Sequence, residues 1–178
     1  LLKSRLEDLM QRYSISGDVR GKGLLTAFEF VSDRPGHDRV VLCATELGLH
    51  RSFDDGATWQ HVSIAAAPWP YFRCMAHRPD RTGVIFLSAG DRPSGETGML
   101  LVSRDWGLSW RDAGLPRPVN STIWSIGAHP ADPMLLFCCT IMGQIFRSTD
   151  GGETWHRMRR ELGELRMIAW APVPAPPV

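Results

Sequence analysis

Apolar and polar positions alternate along this chain with two different periods. In the opening residues Leu2, Leu6, Leu9, Met10 and Tyr13 return at three- and four-residue steps, with Lys3, Arg5, Glu7, Asp8, Gln11 and Arg12 between them. That spacing lines one stripe of an α-helix and predicts about three turns, ended by Ser14 to Gly17. From residue 24 the pattern changes to short apolar runs bounded by Gly, Pro and Asp. Leu24 to Val31, Arg39 to Thr45 and Leu47 to Arg51 form one set of runs. Val84 to Ser88 with Gly98 to Val102, and Met134 to Cys138 with Gly143 to Arg147, form two more. Runs of this length predict strands joined in hairpins. Leu165 to Trp170 reads as the opening strand of a fourth set, and the proline-rich 171–178 lacks most ladder donors and reads as an extended tail.

The last run of each set leads into the same pattern. Ser52-Phe53-Asp54-Asp55-Gly56-Ala57-Thr58-Trp59, Ser103-Arg104-Asp105-Trp106-Gly107-Leu108-Ser109-Trp110 and Ser148-Thr149-Asp150-Gly151-Gly152-Glu153-Thr154-Trp155 all read Ser-x-Asp-x-Gly-x-Thr/Ser-Trp. The serines stand 51 and then 45 residues apart. That period suits a four-stranded propeller blade and is too long for most helical repeats. Ala76-His77-Arg78-Pro79-Asp80 also returns as Ala128-His129-Pro130-Ala131-Asp132, each time closing one run and opening a turn.

The motif is that of a hairpin reversal. An aspartate accepts the backbone N–H groups that the ladder leaves unpaired, so Asp54, Asp105 and Asp150 are expected to hold the turn from inside. Gly56, Gly107 and Gly152 supply a positive φ. Ser52, Ser103, Ser148, Thr58, Ser109 and Thr154 add local bonds, while Trp59, Trp110 and Trp155 pack between sheets with the indole N–H reaching a turn carbonyl. An EF-type calcium loop needs further aspartates and a distant glutamate that none of the three segments supplies. The expected role is therefore structural.

These segments resemble Asp-box (BNR) repeats, most closely in Gln144 to Trp155, and the resemblance covers about residues 24–170. It implies a β-propeller of the kind found in sialidases, xyloglucan-type glycosidases, sortilin-like receptors and photosystem II assembly factors. It places each box between the third and fourth strands of a blade, away from the ligand-binding funnel. The second copy departs at Trp106 and Ser109, which implies a looser turn. A sialidase would need an arginine cluster and a tyrosine nucleophile; Tyr13 and Tyr71 are the only tyrosines, and neither has a recognisable catalytic context. Glycosidase chemistry otherwise needs paired carboxylates. Glu29, Asp91 and Glu96 are the acids outside the boxes to inspect, and surface solubility explains each more simply.

Residues 1–34 carry a second resemblance. Arg5 to Leu9, followed by Gly17-Asp18-Val19-Arg20-Gly21-Lys22-Gly23-Leu24, is similar to the small-domain segment of class III pyridoxal-phosphate-dependent aminotransferases. Lys3 and Lys22 are the only lysines, and neither has the cofactor-lysine context. Gly21 and Gly23 do not make a dinucleotide loop, because Thr26 stands where a third glycine is needed. No cofactor is expected.

With 20 Lys+Arg against 19 Asp+Glu the formal charge is +1, so no field favours nucleic acid or a membrane surface. Arg157, Arg159 and Arg160 read as a solvated face. No apolar run nears the roughly 20 residues of a spanning helix, and the opening lacks a signal-peptide stretch. Cys43, Cys74, Cys138 and Cys139 lie in apolar stretches and read as buried, reduced thiols, which favours a cytoplasmic setting. A zinc set drawn from Cys74, His77, His129 and one of Cys138 and Cys139 is not expected, since adjacent strand residues face opposite ways.

The expected fold is all-β: a partial propeller of about three four-stranded antiparallel blades across 24–170, with residues 1–23 as a helical cap. Propellers close with about four to eight blades, so further blades or another chain would complete it. The expected function is a non-catalytic binding or assembly module for a protein or carbohydrate. Its ligand surface would include Tyr71, Phe72, Arg73 and Trp124. The alternative is a fragment of an enzyme, either an Asp-box glycoside hydrolase or an aminotransferase tail.

Overall fold

The computed structural model describes Glu29, Phe30 and residues 40–173. The expected N-terminal helix, the aminotransferase-like segment except for those two residues, and the end of the tail lie outside them. Three four-stranded antiparallel sheets hold all the strands among the described residues, which contain no helix. The first sheet has the order β1 (Glu29–Phe30), β2 (Val40–Thr45), β3 (Gly48–Ser52), β4 (Gln60–Val62). The second runs β5 (Tyr71–His77), β6 (Ile85–Gly90), β7 (Gly98–Ser103), β8 (Arg111–Asp112). The third runs β9 (Ile123–Gly127), β10 (Leu136–Thr140), β11 (Ile145–Ser148), β12 (His156–Arg157).

The chain divides into two compact units, Leu1–Cys43 with Leu49–Ser63, and Ala44–Gly48 with Ile64–Val178. In the second unit the register defines two ends. Gly90 pairs with both Tyr71 and Gly98 at one end of the second sheet, and Ile85 pairs with His77 and Ser103 at the other. In the third sheet Leu136 pairs with Ser148 at the same end as Ile85, and Thr140 pairs with Ile123 near the opposite one. The repeated reversals after Ser103 and Ser148 therefore share one end, and the loop 91–97 lies at the other.

Strands β6 and β7 are buried at every position, which is why they read as continuous apolar runs without alternation. Phe86, Leu100 and Val102 of the second sheet share a core with Ile123, Leu136, Cys138, Phe146 and Trp155 of the third. Fully burying each large side chain there contributes roughly 1.5–3 kcal/mol. Cys138 and Cys139 point to opposite faces yet are both buried. Met134 and Leu135, expected in a strand, instead belong to a turn: their N–H groups bond to Asp132 Oδ1 and the Asp132 carbonyl. Leu165 to Trp170 also departs from expectation. It forms no ladder and is held by isolated bonds, Leu165 N–H to Ile141 O at 3.0 Å and Ile168 N–H to Ser125 Oγ at 3.2 Å.

Candidate functional site

Two sets of residues bear on function, the three reversals and the outer strands β5 and β9 of the second and third sheets. In each reversal the serine hydroxyl donates to the aspartate Oδ1, at 2.7 Å from Ser52, 2.8 Å from Ser103 and 2.7 Å from Ser148. The same hydroxyl oxygen accepts the glycine N–H four residues on, at 2.8 Å from Gly56, 2.7 Å from Gly107 and 2.8 Å from Gly152. The other carboxylate oxygen accepts the hydroxyl of Thr58, Ser109 or Thr154, each at 2.5 Å. The aspartates accept turn N–H groups, those of Thr58, Ser109 and Thr154 and, at Asp150, that of Glu153 as well, while the serine oxygen takes the glycine N–H.

The second reversal is as tight as the others despite Trp106 and Ser109. The residue before the glycine has a left-handed φ in all three, 57° at Asp55, 62° at Trp106 and 70° at Gly151, followed by 88°, 84° and 88° at Gly56, Gly107 and Gly152. The tryptophans differ. Trp110 Nε1 donates to Gly107 O at 3.1 Å, as expected. Trp155 is buried edge-on to Phe86, with ring centroids 5.9 Å apart, and its Nε1 has no partner among the described residues. Trp59 is 43% exposed.

These bonds favour the ionised carboxylates. The hydroxyl of Thr58 first, then its N–H and Ser52, hold Asp54 down to about 2. The hydroxyl of Thr154 leads the bonds that hold Asp150 well below the usual carboxylate range. At Asp105 partial burial pushes upward, but the bonds from Ser109 and Ser103 outweigh it and the net shift is down.

On the outer strands, Tyr71, Phe72 and Arg73 lie on β5 and Trp124 on β9. Phe72 is buried and belongs to the core, so it is not part of a ligand surface. Arg73 is exposed, and its guanidinium lies over the Trp124 ring, 4.0 Å from the centroid. Arg166, which carries no motif of its own, brings a second guanidinium to within 5.8 Å of the same ring. The signal for it was the place it holds in its run: Phe72-Arg73, Ile123-Trp124 and Leu165-Arg166 are each an apolar residue followed by one of these three side chains.

Other candidates are not assembled into a site. Glu96 is ion-paired with Arg92 on the surface at 3.1 Å, and Asp91 accepts the Glu96 N–H. The side chain of Glu29 lies outside the described residues. Among the described residues no group of His, Cys, Asp and Glu side chains is arranged to hold a metal ion. His129 Nδ1 accepts the Ala131 N–H. Burial pushes the thiols of Cys74 and Cys139 up to about 11 and that of Cys138 well above its ordinary value. The Cys74 sulfur lies inside although the residue as a whole is only partly covered.

No protein-family model matches the chain, and no curated protein matches it at a significant level. Solved structures do match. An ancestral GH74 enzyme superposes with a TM-score of 0.54 at 20% identity, covering 84% of this chain and 19% of that one. The GH74 xyloglucanase of Xanthomonas campestris gives 0.51 at 25% identity, over 71% and 19%. A GH74 enzyme of Niastella koreensis gives 0.52 at 17% identity, over 71% and 20%. These are β-propellers, and the three meander sheets place this chain in the same fold class. The chain spans about a fifth of the length of these structures.

Proposed function

We propose that this chain is a stretch of Asp-box β-propeller that serves as a non-catalytic binding module, with its boxes acting as clips and its ligand face on the edge of Tyr71, Arg73 and Trp124. One observation carries this reading: both oxygens of each box aspartate are engaged by the turn's own hydroxyl and N–H donors. A carboxylate so engaged holds a reversal well and has little left to offer a ligand. Asp150→Ala is expected to lower the melting temperature and leave ligand affinity unchanged; lost affinity at an unchanged melting temperature would sink the clip role.

The likeness to GH74 enzymes supports a second reading, in which the chain is a piece of a glycoside hydrolase acting on a xyloglucan-like substrate. Incubation with xyloglucan oligosaccharides, with reducing ends measured, tests the second. No release is expected; release that an Asp91→Asn or Glu96→Gln substitution abolishes would establish the hydrolase reading.

A further inference from the structure

Resting on that binding-module reading, we infer that the Arg73–Trp124–Arg166 stack is a docking site for an acidic polypeptide segment. A guanidinium laid over an indole is held by its face, which leaves the N–H donors around its rim directed outward in a planar fork suited to carboxylates. Arg73 is in this state: it is exposed, lies 4.0 Å from the Trp124 centroid, and has no carboxylate partner among the described residues. Arg166 approaches the same ring from the segment after β12 and is ion-paired with its near neighbour Glu164. The stack therefore carries one unneutralised cation and a second whose partner is on the surface, so the local charge is positive on a chain whose overall charge is +1.

Charge complementarity selects an acidic occupant, and the surroundings select a polypeptide over a sugar. A sugar ring needs a bare aromatic face to stack on, and Arg73 occupies one face of Trp124. Beside Arg166, Met167 is 76% exposed. A cationic fork next to an exposed flexible thioether suits a segment that mixes carboxylates with an apolar side chain.

The test uses the full chain and a fluorescently labelled peptide rich in glutamate with one leucine, followed by anisotropy. Binding is expected to weaken with added salt and to fall about tenfold in Arg73→Gln, about 1.4 kcal/mol. Arg73→Lys is expected to recover part of the loss, since it keeps the charge and loses the planar fork. Because Arg73 is exposed, Arg73→Gln should fold normally, with at most a small fall in melting temperature from the lost Trp124 stack. The inference is overturned if the peptide fails to bind, if Arg73→Gln and Arg166→Gln both leave its affinity unchanged, or if trigalacturonate or a xyloglucan heptasaccharide binds as tightly. Failure of the underlying reading looks different: reducing ends released from xyloglucan would sink the non-catalytic assignment whatever the peptide does.

Discussion

The indole of Trp106 lies directly on Gly83. Its backbone N–H donates to the Gly83 carbonyl at 3.0 Å, and a Cβ on Gly83 would stand 2.7 Å from the indole Nε1. The third sheet makes the same backbone bond from Gly151 to Met134 at 2.9 Å, with the sizes exchanged: a Cβ on Gly151 would stand 3.0 Å from Met134 Sδ. Each pair combines one large side chain and one glycine, on opposite partners.

Gly83→Ala should therefore destabilise by more than about 1 kcal/mol, because it adds a side chain at positive φ as well as a clash. Replacing Trp106 by Gly at the same time should recover part of the loss, since it removes both the clash and a left-handed bulky residue. Urea melts of the two single variants and the double variant measure the coupling, and strict additivity would refute the pairing.

Equivalent glycines of the reversals should not be equally sensitive. Gly56 and Gly152 share a φ of 88°, but a Cβ on Gly56 meets only Trp59 at 3.5 Å, whereas one on Gly152 would stand 2.3 Å from the Phe86 ring. Gly56→Ala is expected to cost about 1 kcal/mol of backbone strain, and Gly152→Ala to add an overpacking penalty of about 1–3 kcal/mol. Equal losses in chemical denaturation would show that the packing of the third reversal on Phe86 contributes nothing.

The reversal aspartates predict an acid limb. Asp54 is held at about 2 against an ordinary 3.8, and Asp105 and Asp150 are also lowered. A carboxylate depressed in the folded state contributes stability that is fully present above its unfolded value and lost as pH falls through its folded one. Stability should hold above about pH 4 and decline toward about pH 2. In Asp54→Asn the decline should be shallower, as measured by thermal melts across that range; an unchanged slope would remove Asp54 as a contributor.

Two arginines of the second sheet reach the third, Arg78 by a hydrogen bond to the Gly151 carbonyl and Arg104 by an ion pair with Glu153, and they should differ in weight. Arg78, with its side chain 12% exposed, bonds Asp80 at 2.7 Å, Thr82 at 2.9 Å and the Gly151 carbonyl at 3.2 Å. Arg104 reaches Glu153 at 2.6 Å, but both side chains are substantially exposed. Arg78→Ala is expected to cost about 1–3 kcal/mol because it strips partners from a covered carboxylate and a carbonyl. Arg104→Ala should cost less than about 1 kcal/mol. The reverse order in denaturant melts would overturn this ranking.

The strands and reversals were legible because their information is local. An Asp, a Gly and a hydroxyl within eight positions close a turn whatever surrounds it, and Ser103 to Trp110 does so even with Trp106 in a left-handed conformation. The strand limits slipped near Met134, where Asp132 captures the next N–H groups. The different settings of Trp59, Trp110 and Trp155 could not be read from an identical motif position, because each depends on the neighbour that the fold supplies.

By itself the sequence determined the repeat, the all-β class and the positions of the reversals, since periodicity and turn chemistry act over a few residues. Only the tertiary structure decided which side chains meet. It removed Phe72 from the candidate surface by burying it and set Arg73 and Arg166 on Trp124. Those contacts join residues about fifty and forty positions apart, and no local preference encodes a distance of that kind.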